Sequence, residues 1–123
     1  MKKIGLIWLC LSVMLGSAVS FKKHSASSIK TLVIDAGHGG KDSGAGDGKE
    51  KKYALDMALR LGEKIKTELP DVQVIYTRET DVFIPLHERA EIANRNKADL
   101  FISIHCNANP HSSAISGTET YVM

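Results

Sequence analysis

Between residues 31 and 105 the chain alternates between two kinds of apolar pattern, and that alternation limits the fold more than any other feature. Thr31 to Ala36 (TLVIDA) is a short continuous apolar run that ends at glycine. Such a run reads as a strand covered on both faces, and so as a central one. From Glu50 to Leu69 the residues Leu55, Ala58, Leu59, Gly62, Ile65 and Leu69 recur at intervals of three and four, one helical stripe closed by Pro70. Val72 to Thr77 (VQVIYT) is a second strand. Pro85 to Ala98 is a second helix, with Leu86, Ala90, Ala93 and Lys97 in line and the proline near its first turn. Asp99 to His105 (DLFISIH) is a third strand, and Gly117 to Met123 (GTETYVM) starts a fourth. Strand, helix, strand, helix, strand needs crossover connections. The expected fold is therefore α/β: a largely parallel sheet with covering helices. No helix follows the fourth strand to cover the sheet. The pattern thus reads as truncated, the N-terminal portion of a larger domain with an unpaired edge.

The segment before residue 31 has a different character. Lys2 and Lys3 precede an apolar stretch from Ile4 to Leu15, and small residues (GSAVS) follow. This is the three-part pattern of a secretory signal peptide, expected over residues 1–20 with a cut near Ser20. The apolar stretch is short of the roughly 20 residues of a membrane span. Cys10 lies inside it, with the wrong neighbours for lipid attachment. Residues 21–30, polar and serine-rich, read as a linker, and residues 31–123 as the folded domain. Without Lys2 and Lys3 the chain keeps 14 basic and 14 acidic side chains, from totals of 16 and 14. A balanced charge of that kind is not the footprint of a nucleic-acid binder. Only Cys106 remains past the leader, so no disulfide can form within the domain.

In open α/β sheets, ligands bind beyond the carboxyl ends of the strands. His38 lies just past the end of the first strand, His105 closes the third, and Glu50 opens the helix after the first. All three fall on one rim. Two imidazoles and a carboxylate form the donor set of a catalytic zinc site that leaves one position open. Each ligand comes from a separate element, and the HExxH pattern is absent. His24, His87 and His111 read as surface or loop residues. The loop Gly37 to Lys49 is rich in glycine, which also suits a phosphate cradle. Its spacing matches neither GxGxxG nor GxxxxGK[ST], and Asp42, Asp47 and Glu50 would repel phosphate.

Five blocks, in order, carry a family resemblance: TLVIDAGHGGKDSGA, Glu50 with KKYALDMALRL, VIYTRETDVFIPLHERAEIAN, ADLFISIHCNAN and GTETYV. Together they resemble the zinc-dependent N-acetylmuramoyl-L-alanine amidases of bacterial cell walls. The resemblance implies an α/β sheet covered by helices, Zn2+ as cofactor, and His38, Glu50 and His105 as its ligands. It implies hydrolysis of the amide between N-acetylmuramic acid and L-alanine in peptidoglycan. Export to the periplasm or cell envelope would place the chain beside that polymer. The bare glycine loop would leave room for a glycan strand to approach the metal. Asp35 is a candidate for orienting a ligand. Asn107 stands beside His105. Arg78, Arg89 and Asn94 match family positions and read as structural hydrogen bonds and ion pairs near the rim. The family's general acid/base glutamate belongs to a block beyond Met123, and none of Glu88, Glu91 and Glu119 takes that role. A weakly active or inactive chain is therefore expected. The alternative is a catalytically inactive fragment that binds zinc or wall polymer, and a protein activator or wall-binding module is left open.

Overall fold

The computed structural model describes residues 29–45, 48–109, 114 and 116–122. The expected leader, most of the linker, His24 and His111 lie outside them. Strand β1 (Thr31–Ala36) is buried over all but its first residue. It is the middle of three parallel strands in the order β2–β1–β3, with β2 at Gln73–Tyr76 and β3 at Leu100–Ile104. The register sets Leu32 between Val74 and Leu100, and Asp35 opposite Ser103. Helix α1 (Lys49–Glu68) connects β1 to β2, and helix α2 (Leu86–Arg95) connects β2 to β3. The parallel α/β sheet with a central first strand is thus what forms.

Side chains alternate across β1, so its two faces meet different partners. Leu32, Ile34 and Ala36 join Ala58 of α1 in the buried core, flanked by Leu55, Leu61, Ile65, Val74, Tyr76, Ile102 and Ile104. The helix approaches closely because its buried line is small: Ala54, Ala58 and Gly62. A β-carbon at Gly62 would overlap the Tyr76 ring and its hydroxyl. The leucines expected at the centre of the stripe, Leu55 and Leu59, flank this seam half-buried. The sheet leaves no room for them directly over β1.

Two expectations are corrected. The stripe of α2 is not its buried face: Leu86 is 83% exposed, Ala90 is exposed, and the buried residue is Arg89. That guanidinium ties the helix down by hydrogen bonds to Asp35 and to the carbonyls of Ala36, His38 and Ile84, beside half-buried Ile92 and Ala93. Nor does Gly117 to Met123 begin a fourth strand. Residues 116–122 have no regular structure, and 117–122 are exposed. A strand needs a ladder partner for its N–H and C=O groups, and among the described residues nothing pairs with the outer edge of β3. That edge carries Leu100 and Phe101, both more than one-third exposed.

Candidate metal centre

The site is built where β1 ends. His38 has a φ of 59°, and Gly39 and Gly40 follow at 121° and 56°. A side-chain-bearing residue in the left-handed region costs about 1–3 kcal/mol and persists only where its surroundings hold it. Here two buried arginines do so, by binding three successive carbonyls. Arg78 donates from Nε to Ala36 O (2.9 Å) and from Nη2 to Gly37 O (2.7 Å). Arg89 donates from Nη1 to Ala36 O and from Nη2 to His38 O, both at 2.8 Å. Beyond His38 the loop closes on itself, with reciprocal backbone hydrogen bonds between Gly39 and Asp42 of 2.9 and 3.1 Å.

Asp35 anchors the arginine. Its Oδ1 accepts from Arg89 Nη1 (2.8 Å) and Thr77 Oγ1 (2.7 Å), and its Oδ2 from Ser103 Oγ (2.6 Å). Burial disfavours its charge, but the hydrogen bonds from Ser103, Thr77 and Arg89 outweigh burial and hold the carboxyl below its ordinary range. Strands β1 and β3, the residue that follows β2, and helix α2 therefore meet at one carboxylate.

On the rim above this network, three side chains from three elements converge. Glu50 Oε1 lies 3.0 Å from His38 Nε2 and 3.2 Å from His105 Nδ1, and the two ring nitrogens are 3.1 Å apart. The imidazoles meet edge to face, at 82°. Glu50 is buried, opens α1, and is pinned at both oxygens: Oε2 accepts from Ala45 N (2.6 Å) and Oε1 from Cys106 N (3.0 Å). Burial opposes its charge, yet those N–H groups and the neighbouring histidines keep its carboxyl below the ordinary value. The same Glu50 charge, added to burial, pushes the Cys106 thiol up. Two glycines make the approach possible. A β-carbon at Gly37 would fall within 2.7 Å of both ring nitrogens of His105, and one at Gly44 would meet Glu50 Oε2 at 2.7 Å.

Known proteins share much of this sequence and fold. Residues 32–123 match the family model described as N-acetylmuramoyl-L-alanine amidase. The chain belongs to the N-acetylmuramoyl-L-alanine amidase family. It is 47% identical over 95 residues to the endolysin of Bacillus phage SPP1, covering 75% of this chain and 33% of that protein. It is 46% identical over 96 residues to the amidase LytC of Bacillus subtilis, covering 75% of this chain and 18% of LytC. Among solved structures, the catalytic domain of CwlV, an amidase from Bacillus (Paenibacillus) polymyxa var. colistinus, superposes with a TM-score of 0.64 at 42% identity. That match covers 70% of this chain and 50% of the CwlV domain. The chain thus spans half of that catalytic domain and a third or less of the two relatives.

The donor set of this amidase-family chain fits a zinc ion on its geometry. The three donor atoms lie within 4.8 Å of one another. Ligands about 2.0–2.1 Å from a tetrahedral zinc stand roughly 3.3–3.4 Å apart, so the triangle needs to open by only a few tenths of an ångström. Two ring nitrogens and a carboxylate oxygen thus face one point, where their lone pairs could be shared by one cation.

The other candidates fall into place around the triangle. Asp35, Arg78 and Arg89 shape the backbone that carries His38, and their hydrogen bonds go to one another, to carbonyls and to hydroxyls rather than to a ligand imidazole. Asn107 is exposed two residues beyond His105, and His87 and Asn94 are exposed on α2. A cleft of about 220 Å³ opens from the triangle between α2 and β3, with Leu86, Ala90 and Phe101 on its apolar wall. Sequence reasoning missed Lys51 and Asp81. Lys51 Nζ donates to Asp81 Oδ2 (2.7 Å) and to Gly40 O (2.9 Å), and Gly40 N donates to Asp81 Oδ1 (2.8 Å). The available signal was an acid and a base at the ends of segments flanking a glycine pair, which is too common to single out.

Proposed function

We propose that this chain carries the zinc-binding half of a peptidoglycan amidase, which hydrolyses the amide between N-acetylmuramic acid and L-alanine. The observation that carries this reading is the triangle of His38 Nε2, Glu50 Oε1 and His105 Nδ1 at 3.0–3.2 Å on an open rim. These three residues would hold Zn2+, which supplies polarisation of the scissile carbonyl and activation of water near neutral pH. Glu50, fixed by two backbone N–H groups, keeps the donors from drifting apart. The apolar wall of the cleft offers the bound stem a surface beside the reacting centre.

A second reading has a specific observation in its favour. Among the described residues lining the cleft, the only carboxylates are Asp35 and Asp42. Asp35 is saturated by three hydrogen bonds, and Asp42 touches His38. No free carboxyl there can protonate the departing amine, a step whose loss slows such reactions roughly 10²- to 10⁴-fold. The chain would then bind zinc or wall polymer with little turnover. Metal analysis and release of stem peptide from a defined muropeptide separate the two, with full-length LytC as the active reference. Zinc with release supports the enzyme. Zinc without release supports the binding fragment, and failure to bind zinc defeats both.

Residues 1–20 are proposed as an export signal, on the basic start, apolar core and small-residue end. The expected outcome in a secreting host is a product beginning near Phe21 by mass spectrometry. An intact Met1 on a membrane-bound product would refute it. No helix among the described residues is long and apolar enough to cross a membrane.

A further inference from the structure

Among the described residues, two buried side-chain polar atoms lack an aligned hydrogen bond: Tyr76 Oη, far from the rim, and His38 Nδ1. The second is the rear nitrogen of a triangle residue. Its near neighbour is Asp42 Oδ1 at 3.0 Å, four residues along the chain. The contact is short but lies off the N–H axis, so it is a polar contact rather than an aligned hydrogen bond. A small turn of the carboxylate would align it. Asp42 is free to make that turn because its side chain is 43% exposed. Its backbone is not free, being locked by the reciprocal Gly39–Asp42 pair. Gly44 N also donates to Oδ1, at 3.2 Å. The loop thus brings one carboxylate to the rear of one imidazole.

The two histidines differ in this respect. His38 turns Nε2 into the triangle and Nδ1 toward Asp42. His105 turns Nδ1 into the triangle, and its ring lies against Gly37. We propose that Asp42 is a positioning residue: its carboxylate accepts the Nδ1 proton of His38 and so fixes the tautomer whose Nε2 lone pair faces Glu50 and His105. A histidine that binds metal through one nitrogen is oriented by the acceptor on its other nitrogen, and loss of that acceptor weakens metal binding about 10- to 100-fold. The inference makes His38 the oriented donor and His105 the adjustable one. It rests on the zinc reading above.

The test uses the full chain and two readouts. Zinc affinity is measured by competition with a chromogenic chelator. The tautomer of His38 is read from long-range 15N–1H correlations of its ring, with and without zinc. Asp42→Ala should weaken zinc binding roughly 10- to 100-fold and turn the His38 ring from one tautomer into an exchanging mixture. Asp42→Asn, whose amide oxygen still accepts, should recover most of the affinity. Asp81 ties the same loop without touching the imidazole, so Asp81→Ala should leave the His38 ring pattern unchanged. An unchanged ring pattern in Asp42→Ala overturns the proposal, as does unchanged zinc affinity. Should Asp42→Ala fail to fold, Asp42→Leu, of similar size but unable to accept a proton, decides by the same readouts: no change in either overturns the proposal, and a loss in both supports it. If the unaltered chain binds no zinc, the metal reading fails, while the ring pattern of the metal-free chain still shows whether Asp42 holds the Nδ1 proton.

Discussion

The two faces of β1 are held by opposite means. On one face Leu32, Ile34 and Ala36 meet the small-residue seam of α1, and shape alone does the joining. On the other, Asp35 binds Arg89, Thr77 and Ser103, and the arginines go on to grip the carbonyls of residues 36–38. An apolar seam stabilises in proportion to buried area and is tolerant of detail. A buried ion pair contributes little net stability but is costly to break, and it fixes directions. The strand therefore divides its tasks: the α1 face supplies most of the folding energy, and the α2 face aims the loop that carries His38.

The largest effect should come from breaking the polar face on one side only. Asp35→Ala leaves the Arg89 guanidinium buried without its partner and should destabilise the chain by about 3–5 kcal/mol, read as a fall in the urea midpoint. A double variant, Asp35→Leu with Arg89→Met, removes both charges and should recover much of that loss. It should not recover zinc binding, because His38 O loses its donor and Ala36 O keeps only that from Arg78. If the double variant binds zinc normally, the polar face has no aiming role. The sign of the pH dependence follows from the same carboxylate. The Asp35 carboxyl is lowered from its ordinary 3.8, so its stabilising contribution is complete above that value and is lost as pH falls through the lowered range. Unfolding below pH 4 should be steep in the unaltered chain and shallower in Asp35→Asn.

The apolar face is probed by Gly62→Ala. The added methyl falls on Tyr76, which is packed between the helix and β2. Better helix propensity favours alanine by about 1 kcal/mol, whereas overpacking costs about 1–3 kcal/mol, so the expected balance is a loss of up to about 2 kcal/mol. Zinc affinity should be unchanged, since Gly62 lies about three turns along α1 from Glu50 and its β-carbon would meet Tyr76 rather than the loop. A Gly62→Ala variant that weakened zinc binding as much as Asp35→Ala would erase the distinction between the faces.

How much of this was legible follows the same division. Strand and helix positions were readable because periodicity reports apolar burial, and β1, the two helices and the converging His38, Glu50 and His105 all lie where the pattern places them. The face of α2 was not, because Leu86, Ala90 and Ala93 mimic a core stripe while the true attachment is Arg89, a charge that periodicity counts as solvent-facing. The fourth strand failed for a related reason. GTETYV has the composition of a strand, but a strand forms only beside a partner, and composition does not show whether one is present. The hold on His38 was illegible as well, since Arg78 and Ala36 lie 42 residues apart and meet only once the parallel register of β1 and β2 is set.

The smallest effect concerns the strap over the glycine loop. Asp81 accepts from Gly40 N and from Lys51 Nζ, yet its side chain is 55% exposed. Exposed ion pairs are screened and contribute about 0–1 kcal/mol, so Asp81→Ala should lower global stability by no more than about 1 kcal/mol. Its consequence should instead be local. Gly40 N loses its acceptor, and Lys51 keeps only the Gly40 carbonyl. Amide exchange at Gly40 should accelerate while exchange in β1 stays as slow as before, because the two arginines still hold residues 36–38. The comparison of faces predicts this separation: the aiming network lies beneath the loop, and the strap only closes it from above. Faster exchange spreading into Ala36 and Gly37 in Asp81→Ala would mean that the strap shares the aiming task, and that the loop is held from both sides rather than from below.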